Sequence, residues 1–204
     1  MDLYYAPLAC SMAGRIVLYE TGAAANFVRV DTNAGRTADG ADYRAINPKG
    51  RVPALKTDDG EVLTENPAIL QFLADRAPEA GLAPSGFQRY RLQQWLSFIG
   101  SELHKCVFTP LLSRKTDEAA KAAARAEAAD RLAYLDGHLA GRQWLLDDFS
   151  VADAYMAAVL NWAQFVNLDL AAYPNVAAYT DRLRERPAVA RALEEEFALW
   201  KQAA

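Results

Sequence analysis

One of the two cysteines of the chain, Cys10, lies where a strand pattern gives way to a helix pattern. Leu3-Tyr4-Tyr5 is an apolar run typical of a short strand, and Ser11 can cap the helix that follows. The partial positive charge at a helix start stabilises a thiolate, which is the reactive form of cysteine. Cysteine is also a common buried filler, and Met12-Ala13 supplies no second thiol for a dithiol redox motif. A lone thiol at this place favours mixed-disulfide or thiol-binding chemistry with an external partner.

Two further segments can hold a peptide-like ligand. The proline of Val52-Pro53 opens a strand, and a cis bond there leaves the Val52 backbone able to pair with an extended peptide. A trans proline that limits a sheet edge is the plainer alternative. Glu65-Asn66-Pro67 begins a helix whose N–H groups, with the Asn66 amide, can bind a carboxylate, while Glu65 can bind an ammonium group. Plain helix capping is the alternative. It explains Asn66 and Pro67 equally well, but it explains Glu65 less well than ligand binding does.

The elements that position these residues lie in the first third of the chain. Residues 1–77 predict the order β-α-β-α-β-β-α, with parallel first strands and a hairpin at Asp58-Asp59-Gly60. Residues 78–86 are rich in Pro, Gly and Ala and predict a linker. Strand patterns then stop, and residues 87–204 predict an all-helical domain. The fold class is therefore an α/β N-terminal domain of thioredoxin type followed by an all-α domain.

Composition excludes several classes of function. The net charge of −4 comes without clustered Lys and Arg, which argues against a nucleic-acid partner. No apolar run is long enough to span a bilayer, and the N-terminus does not resemble a signal peptide. The two cysteines are too few for a disulfide framework and fit a reducing compartment, so we expect a cytoplasmic protein without a membrane partner. No His/Cys/Asp cluster has metal-ligand spacing, so no metal is expected.

The N-terminal segment and the run of residues 47–55, Asn-Pro-Lys-Gly-Arg-Val-Pro-Ala-Leu, resemble the glutathione transferase family. The resemblance is strongest to its bacterial beta class, which carries a cysteine where other classes use Tyr or Ser. It covers essentially the whole chain. Residues 93–105 resemble the fourth helix of that class, residues 150–155 the buried capping motif of the sixth helix, and residues 173–189 the C-terminal helices. The resemblance implies the glutathione transferase fold.

The resemblance also implies residue roles. Cys10 would face the glutathione sulfur, Val52 would pair with the cysteinyl backbone, and Glu65 with Asn66 would hold the γ-glutamyl head. Gly35 lies in a loop where a basic residue often contacts the glycyl carboxylate, and Arg36 is beside it. The fourth helix would contribute further contacts, some of them to the partner subunit's site. The implied catalytic residues are Cys10, Ser11 and His104, and the implied glutathione-binding residues are Cys10, Gly35, Val52, Glu65, Asn66, Ser101, Glu102, His104 and Lys105.

Other residues have competing structural interpretations. A mid-helix His104 is more often a satisfied surface or core residue, and only the resemblance favours a functional role. An aromatic stripe at helical spacing is more often core than pocket, yet we assign a second-substrate pocket to Phe108, Leu112, Trp162 and Phe165. Cys106 is expected to pack in the core. Purely structural roles are expected for Pro53, Ser150 and Asp153, with Ser150 and Asp153 forming a capping box.

The predicted function is conjugation of reduced glutathione to small apolar electrophiles such as aryl halides, epoxides or conjugated carbonyls, as in detoxification. Thiol–disulfide exchange through Cys10 is a second activity of the same site. The alternatives are a non-catalytic protein that binds glutathione or apolar ligands, and a dedicated glutathione-dependent isomerase or dehalogenase. The resemblance also implies a homodimer, formed through the long helices that begin near Phe87 and Thr116.

Overall fold

A computed structural model of the chain describes residues 1–202, and it contains two compact units. The first unit comprises residues 1–83 together with the segment that begins at Pro187, and the second comprises residues 84–186. The sheet lies in the first unit and the helical core in the second. Within the described residues, none of the helices combines the length and the apolar character needed to cross a membrane.

The first unit is built on a five-stranded mixed sheet with the strand order β3-β2-β1-β4-β5. β1 and β2 are parallel, as predicted, and every other neighbouring pair is antiparallel. The hairpin predicted at Asp58-Asp59-Gly60 connects β4 to β5. The strands are β1 (Asp2–Tyr5), β2 (Asn26–Asp31), β3 (Arg36–Thr37), β4 (Ala54–Lys56) and β5 (Val62–Thr64).

Two helices of the first unit follow the predicted pattern, and a third is replaced. α1 (Met12–Thr21) connects β1 to β2, and α2 (Asn66–Asp75) follows β5. Between β2 and β4 the predicted helix is only a 3₁₀ turn, Tyr43–Ala45. The reason is local, since Gly35 and Gly40 both adopt positive φ angles and turn the chain before a helix can form.

The last helix, α8 (Pro187–Lys201), packs against α1 and belongs to the same compact unit as the sheet. The sequence instead predicts it as part of the helical domain at 87–204. Its buried residues form one face of the helix. These residues are Ala188, Val189, Ala192 and Glu196.

The second unit is helical throughout its core. Residues 87–112 form α3 (Phe87–Phe98), a π-helix (Ile99–Phe108) and α4 (Thr109–Leu112) in succession. All ten residues of α6 are buried, so it is the central helix of this unit. The remaining helices are α5 (Glu118–Leu139), α6 (Val151–Leu160) and α7 (Pro174–Glu185).

The start of α6 contains the predicted capping box. Ser150 Oγ accepts a hydrogen bond from the Ala152 N–H (3.3 Å), and Asp153 Oδ2 accepts one from the Ser150 N–H (2.9 Å). Asp153 is fully buried and also accepts from the Leu145 N–H (3.0 Å) and from the Tyr179 hydroxyl (2.7 Å). Burial raises the pKa of the Asp153 carboxyl, and these donors oppose that rise. The carboxyl group therefore joins α6, α7 and the preceding loop.

Candidate active site

Four candidate segments meet at one end of the sheet. Because β1 and β2 are parallel while β4 is antiparallel to β1 and β5 to β4, the end of β1, the start of β4 and the end of β5 coincide. Cys10 follows β1, Val52 precedes β4 and Glu65 follows β5. Gly35 precedes β3, whose start lies beside the end of β2. The topology thus assembles residues that are far apart in the sequence.

Cys10 lies in the turn between β1 and α1 and is 9% exposed. Its Sγ donates a hydrogen bond to the Val52 carbonyl (3.4 Å), and of the two alternatives for the Val52-Pro53 peptide bond the structure has cis. Ser11 occupies the cap position of α1, but its side chain does not cap the helix. Its hydroxyl instead exchanges hydrogen bonds with the Ala6 backbone, at 3.3 Å in each direction. The predicted cap by the Ser11 side chain is therefore wrong, and this hydroxyl ties the cysteine loop to the end of β1.

The start of α2 also differs from the prediction. The cap position belongs to Glu65, which has a positive φ of 72°, and Asn66 is the first residue of the helix. Asn66 is 3% exposed, and its Nδ2 donates to the Cys10 carbonyl at 2.9 Å. Its Oδ1 is buried without a hydrogen-bond partner within residues 1–202. Asn66 is therefore not the helix cap. Its amide instead holds the cysteine loop against α2.

The Glu65 side chain is largely exposed and forms an ion pair with Lys49. The Lys49 ammonium group also donates to Thr64 Oγ1 at 3.0 Å. Lys49 belongs to a turn in which Asn47 Oδ1 accepts from the Lys49 N–H (3.2 Å). An acidic group and a helix N-terminus are therefore adjacent at the end of β5, which is what binding of an α-amino acid head requires.

Two buried polar side chains that the sequence analysis did not single out support the Val52 segment. The Tyr43 hydroxyl (2.8 Å) and Asn47 Nδ2 (2.7 Å) both donate to the Arg51 carbonyl, directly before Val52. Burial raises the pKa of the Tyr43 hydroxyl to about 12, so this group stays a donor at neutral pH. The Asn47-Pro48-Lys49-Gly50 stretch is a turn signal in the sequence, but the partner of Tyr43 depends on tertiary packing.

A long-range contact holds the loop before Cys10. Leu8 has a positive φ of 58°, and its N–H donates to Glu196 Oε2 of α8 at 2.7 Å. Arg15 Nε donates to Glu196 Oε1 at 2.9 Å, and the Arg15 guanidinium stacks on the ring of Phe27 (4.0 Å to the centroid). Glu196 is fully buried. No local signal could reveal this contact, because 188 residues separate Leu8 from Glu196.

The Glu196 contact makes the stability of the fold depend on pH. Burial raises the pKa of the Glu196 carboxyl from 4.5 to about 7, although Arg15 and the Leu8 N–H oppose the rise. The native protein therefore retains a proton in the range between these values that the unfolded chain has lost. This contribution to stability is complete below pH 4.5 and is lost as the pH rises through about 7.

The variant Glu196→Gln has no titrating carboxyl group at this position and therefore tests the expected pH dependence of stability. Between about pH 4.5 and 8, the free energy of unfolding of the native sequence should fall by up to about 3 kcal/mol relative to that of the variant. Urea unfolding of both proteins at stepped pH measures the difference. A difference that stays constant across the range would contradict the raised pKa.

In the second unit, the predicted polar residues lie on the π-helix. His104 Nδ1 is 2.8 Å from the Tyr155 hydroxyl, and its ring packs against Trp162 (4.9 Å between centroids). Glu102 forms an ion pair with Arg131 of α5 (2.9 Å). Ser101 donates to the Ser97 carbonyl at 2.9 Å. Lys105 is exposed.

The predicted pocket residues divide into two pairs. Phe108 and Trp162 are buried and pack on each other at 5.7 Å between centroids. Leu112 and Phe165 are 41% and 38% exposed, respectively. His104, Phe108 and Trp162 thus form one aromatic cluster, and a pocket that includes all four predicted residues stays a prediction.

The expectation that Cys106 packs in the core is wrong, because its side chain is exposed. The π-helix explains the difference. Its wider turn places Leu103, Val107 and Phe108 inward and leaves Cys106 outside. In the part of the chain that the structure describes, no three His, Cys, Asp or Glu side chains are grouped so that they could hold a metal ion.

Comparison with known proteins agrees with the geometry. The family description "Glutathione S-transferase, N-terminal domain" matches residues 1–75, and "Glutathione S-transferase, C-terminal domain" matches residues 98–187. Glutathione S-transferase GstA of Escherichia coli O157:H7 is 44% identical over 199 residues, covering 96% of this chain and 98% of the relative.

Solved structures give the same result. A sphingomonad glutathione S-transferase complexed with glutathione is 48% identical with a TM-score of 0.92, covering 96% of this chain and 98% of that chain. A bacterial beta class glutathione S-transferase from Sphingomonas chungbukensis is 45% identical, also with a TM-score of 0.92 and the same coverage of 96% and 98%. The chain belongs to the glutathione S-transferase family.

Proposed function

We propose that this transferase binds reduced glutathione at the Cys10 end of the sheet and transfers the glutathionyl group, through its sulfur, to small electrophiles. The observation that carries the proposal is the Cys10 Sγ hydrogen bond to the Val52 carbonyl, beside the start of α2. This places a thiol, a backbone edge and a helix N-terminus together. A γ-glutamyl tripeptide with a central cysteine matches these three features.

The residues of the first unit have distinct roles in this proposal. The Val52 backbone pairs with the cysteinyl residue of glutathione as an added strand would. The N–H groups at the start of α2 bind the carboxylate of the γ-glutamyl head, and the Glu65 carboxylate binds its ammonium group. Asn66 acts through the Cys10 carbonyl, which its amide holds. The glutathione sulfur then lies next to Cys10 Sγ.

Two reactions can follow from this arrangement. In conjugation with an aryl halide, the glutathione thiolate attacks the carbon that bears the halogen, a C–S bond forms and halide departs with its electron pair. With an epoxide or a conjugated carbonyl, the electron pair moves onto oxygen and the product takes up a proton. In exchange, the Cys10 thiolate attacks the glutathionyl sulfur of a disulfide between glutathione and another small thiol, forms a mixed disulfide and releases that thiol as its thiolate. A glutathione thiolate then attacks the mixed disulfide, restores the Cys10 thiolate and releases glutathione disulfide. The ligand contacts predicted for Gly35, Ser101, Glu102, His104 and Lys105 remain proposals.

The protein is further proposed to be a cytoplasmic homodimer that acts in detoxification. Exposed aromatic side chains on α3 and α5 support a dimer surface, since exposed apolar patches often mark protein interfaces. Phe87 is 71% exposed, Tyr90 66% and Tyr134 51%.

Native mass spectrometry after incubation with glutathione disulfide tests the proposal. We expect a particle of twice the 22.4 kDa chain mass that carries one glutathionyl group per chain. The adduct should disappear on reduction, because it is a disulfide. Reduced glutathione added afterwards should be retained non-covalently. A chain that takes up neither form of glutathione would overturn the proposed function, and a monomer mass would overturn the dimer alone.

A further inference from the structure

We propose that Arg44 is the residue that binds the carboxylate at the glycine end of glutathione. Position 35 is a glycine because Arg44 occupies the space that a side chain there would need. This deepens the proposed function and rests on it. The assignment adds a binding group from outside the Cys10, Val52 and Glu65 segments. It also explains how a chain with glycine at position 35 can hold an anion there.

The Arg44 side chain lies between two glycines. A β-carbon added to Gly35 would lie 2.7 Å from Arg44 Nη1, which is closer than real side chains approach. One added to Gly50 would lie 3.5 Å from Arg44 Nε and 3.9 Å from Nη2. The guanidinium group therefore fills the space beside the two glycines, and a side chain at position 35 would displace it. Gly35 itself is buried, while Arg44 is exposed.

Arg44 lies at the same end of the sheet as the proposed tripeptide site. The Tyr43 N–H donates to the Gly35 carbonyl (2.9 Å), which fixes the Arg44 segment beside β3. Gly50 precedes Val52 by two residues, a separation of at most about 7 Å along the backbone. A carboxylate one residue beyond the cysteinyl group paired to Val52 therefore falls within reach of Arg44.

The order of strands also supports the direction of the ligand. Glu65 follows β5, at one edge of the sheet, and Gly35 precedes β3, at the opposite edge. Cys10 and Val52 lie between them, at the central strands β1 and β4. A peptide whose amino acid head is held near Glu65 and whose thiol lies at Cys10 directs its other end toward Arg44.

Two cations near Arg44 already have partners within the chain. Lys49 is paired with Glu65, and Arg36 Nη1 donates to the Gly40 carbonyl at 2.7 Å. Within residues 1–202, no carboxylate lies within ion-pair distance of the Arg44 guanidinium. A guanidinium group binds a carboxylate through two parallel hydrogen bonds, which suits this role.

Calorimetric titration with glutathione and with its glycine monoethyl ester tests the inference. The native sequence should bind glutathione about tenfold more tightly than the ester, as expected for one charge-assisted contact. Arg44→Gln should bind both ligands equally, at the affinity of the native protein for the ester. Lys56→Gln, which removes an exposed cation on β4, is the charge-matched control and should keep the tenfold preference.

A pair of glycine variants separates displacement of Arg44 from backbone strain. Gly35 and Gly40 both have positive φ (69° and 88°), but only the added β-carbon at position 35 meets Arg44. We therefore expect Gly35→Ala to lose the preference for the free carboxylate and Gly40→Ala to keep it.

The outcomes distinguish the two levels of the proposal. If the native protein binds neither ligand, the proposed function itself fails. If it binds glutathione and Arg44→Gln retains the preference over the ester, only the assignment of Arg44 fails. Loss of the preference in Arg36→Gln instead of Arg44→Gln would also overturn it, since it would identify the other arginine.

Discussion

Replacing Asp153 with alanine should lower the free energy of unfolding by about 3–5 kcal/mol, because it leaves several buried donors without an acceptor. The donors are the Leu145 N–H, the Tyr179 hydroxyl, and both the N–H and the hydroxyl of Ser150. These groups lie on the loop before α6, at its cap and on α7. The change therefore affects the contacts between elements as well as the capping of one helix.

Urea unfolding followed by tryptophan fluorescence measures the effect, and Trp144 is a local reporter because its ring contacts Tyr179 at 6.3 Å between centroids. Asp153→Asn keeps one acceptor oxygen and should fall between the native protein and Asp153→Ala. Asp148→Ala removes an exposed carboxylate from the same loop and should change stability by less than about 0.5 kcal/mol. A loss below about 1 kcal/mol for Asp153→Ala would show that the carboxyl group is not structural.

Cys10→Ala should abolish the glutathionyl adduct and thiol–disulfide exchange, because no other sulfur in the proposed site can attack the disulfide. Conjugation to an aryl halide should fall by no more than about tenfold, since there the nucleophile is the sulfur of glutathione and Cys10 contributes one hydrogen bond. Steady-state rates with both substrates, together with the intact mass, measure the two effects. Equal collapse of both activities would refute this division of roles.

Cys106→Ala is the matched control, because it removes the other thiol of the chain and lies in the other compact unit. Cys106 is exposed, whereas Cys10 is 9% exposed. Simple accessibility would therefore direct an oxidised ligand to Cys106. An adduct that persists in Cys106→Ala and disappears in Cys10→Ala would show that the environment of Cys10 selects it. The reverse pattern would remove the redox role of Cys10.

Local patterns predicted the parts of the fold that local interactions determine. The Asp58-Asp59-Gly60 turn and the Ser150/Asp153 capping box depend on residues a few positions apart. The parallel pairing of β1 with β2 follows from the β-α-β order and the length of the crossover. Residue types and spacing are sufficient in each of these cases.

The remaining features depend on tertiary contacts that a pattern does not contain. Ser11 and Asn66 have the side chains of helix caps, but each finds a different partner in the folded chain, Ala6 and Cys10 respectively. Cys106 is exposed instead of packed in the core, and it lies on a π-helix, whose wider turn changes which side chains face inward. Glu196 reaches Leu8 across almost the entire sequence. In the candidate site, single segments were predictable, whereas the groups that hold them were not.

The placement of α8 in the sheet unit affects the order in which the protein can mature during synthesis. Residues 84–186 emerge from the ribosome as a continuous stretch and contain a complete helical core. The unit with Cys10 must wait, because Glu196 and its neighbours on α8 are translated after residues 84–186. A nascent chain stalled before Pro187 would therefore carry a finished helical unit and an unfinished cysteine loop.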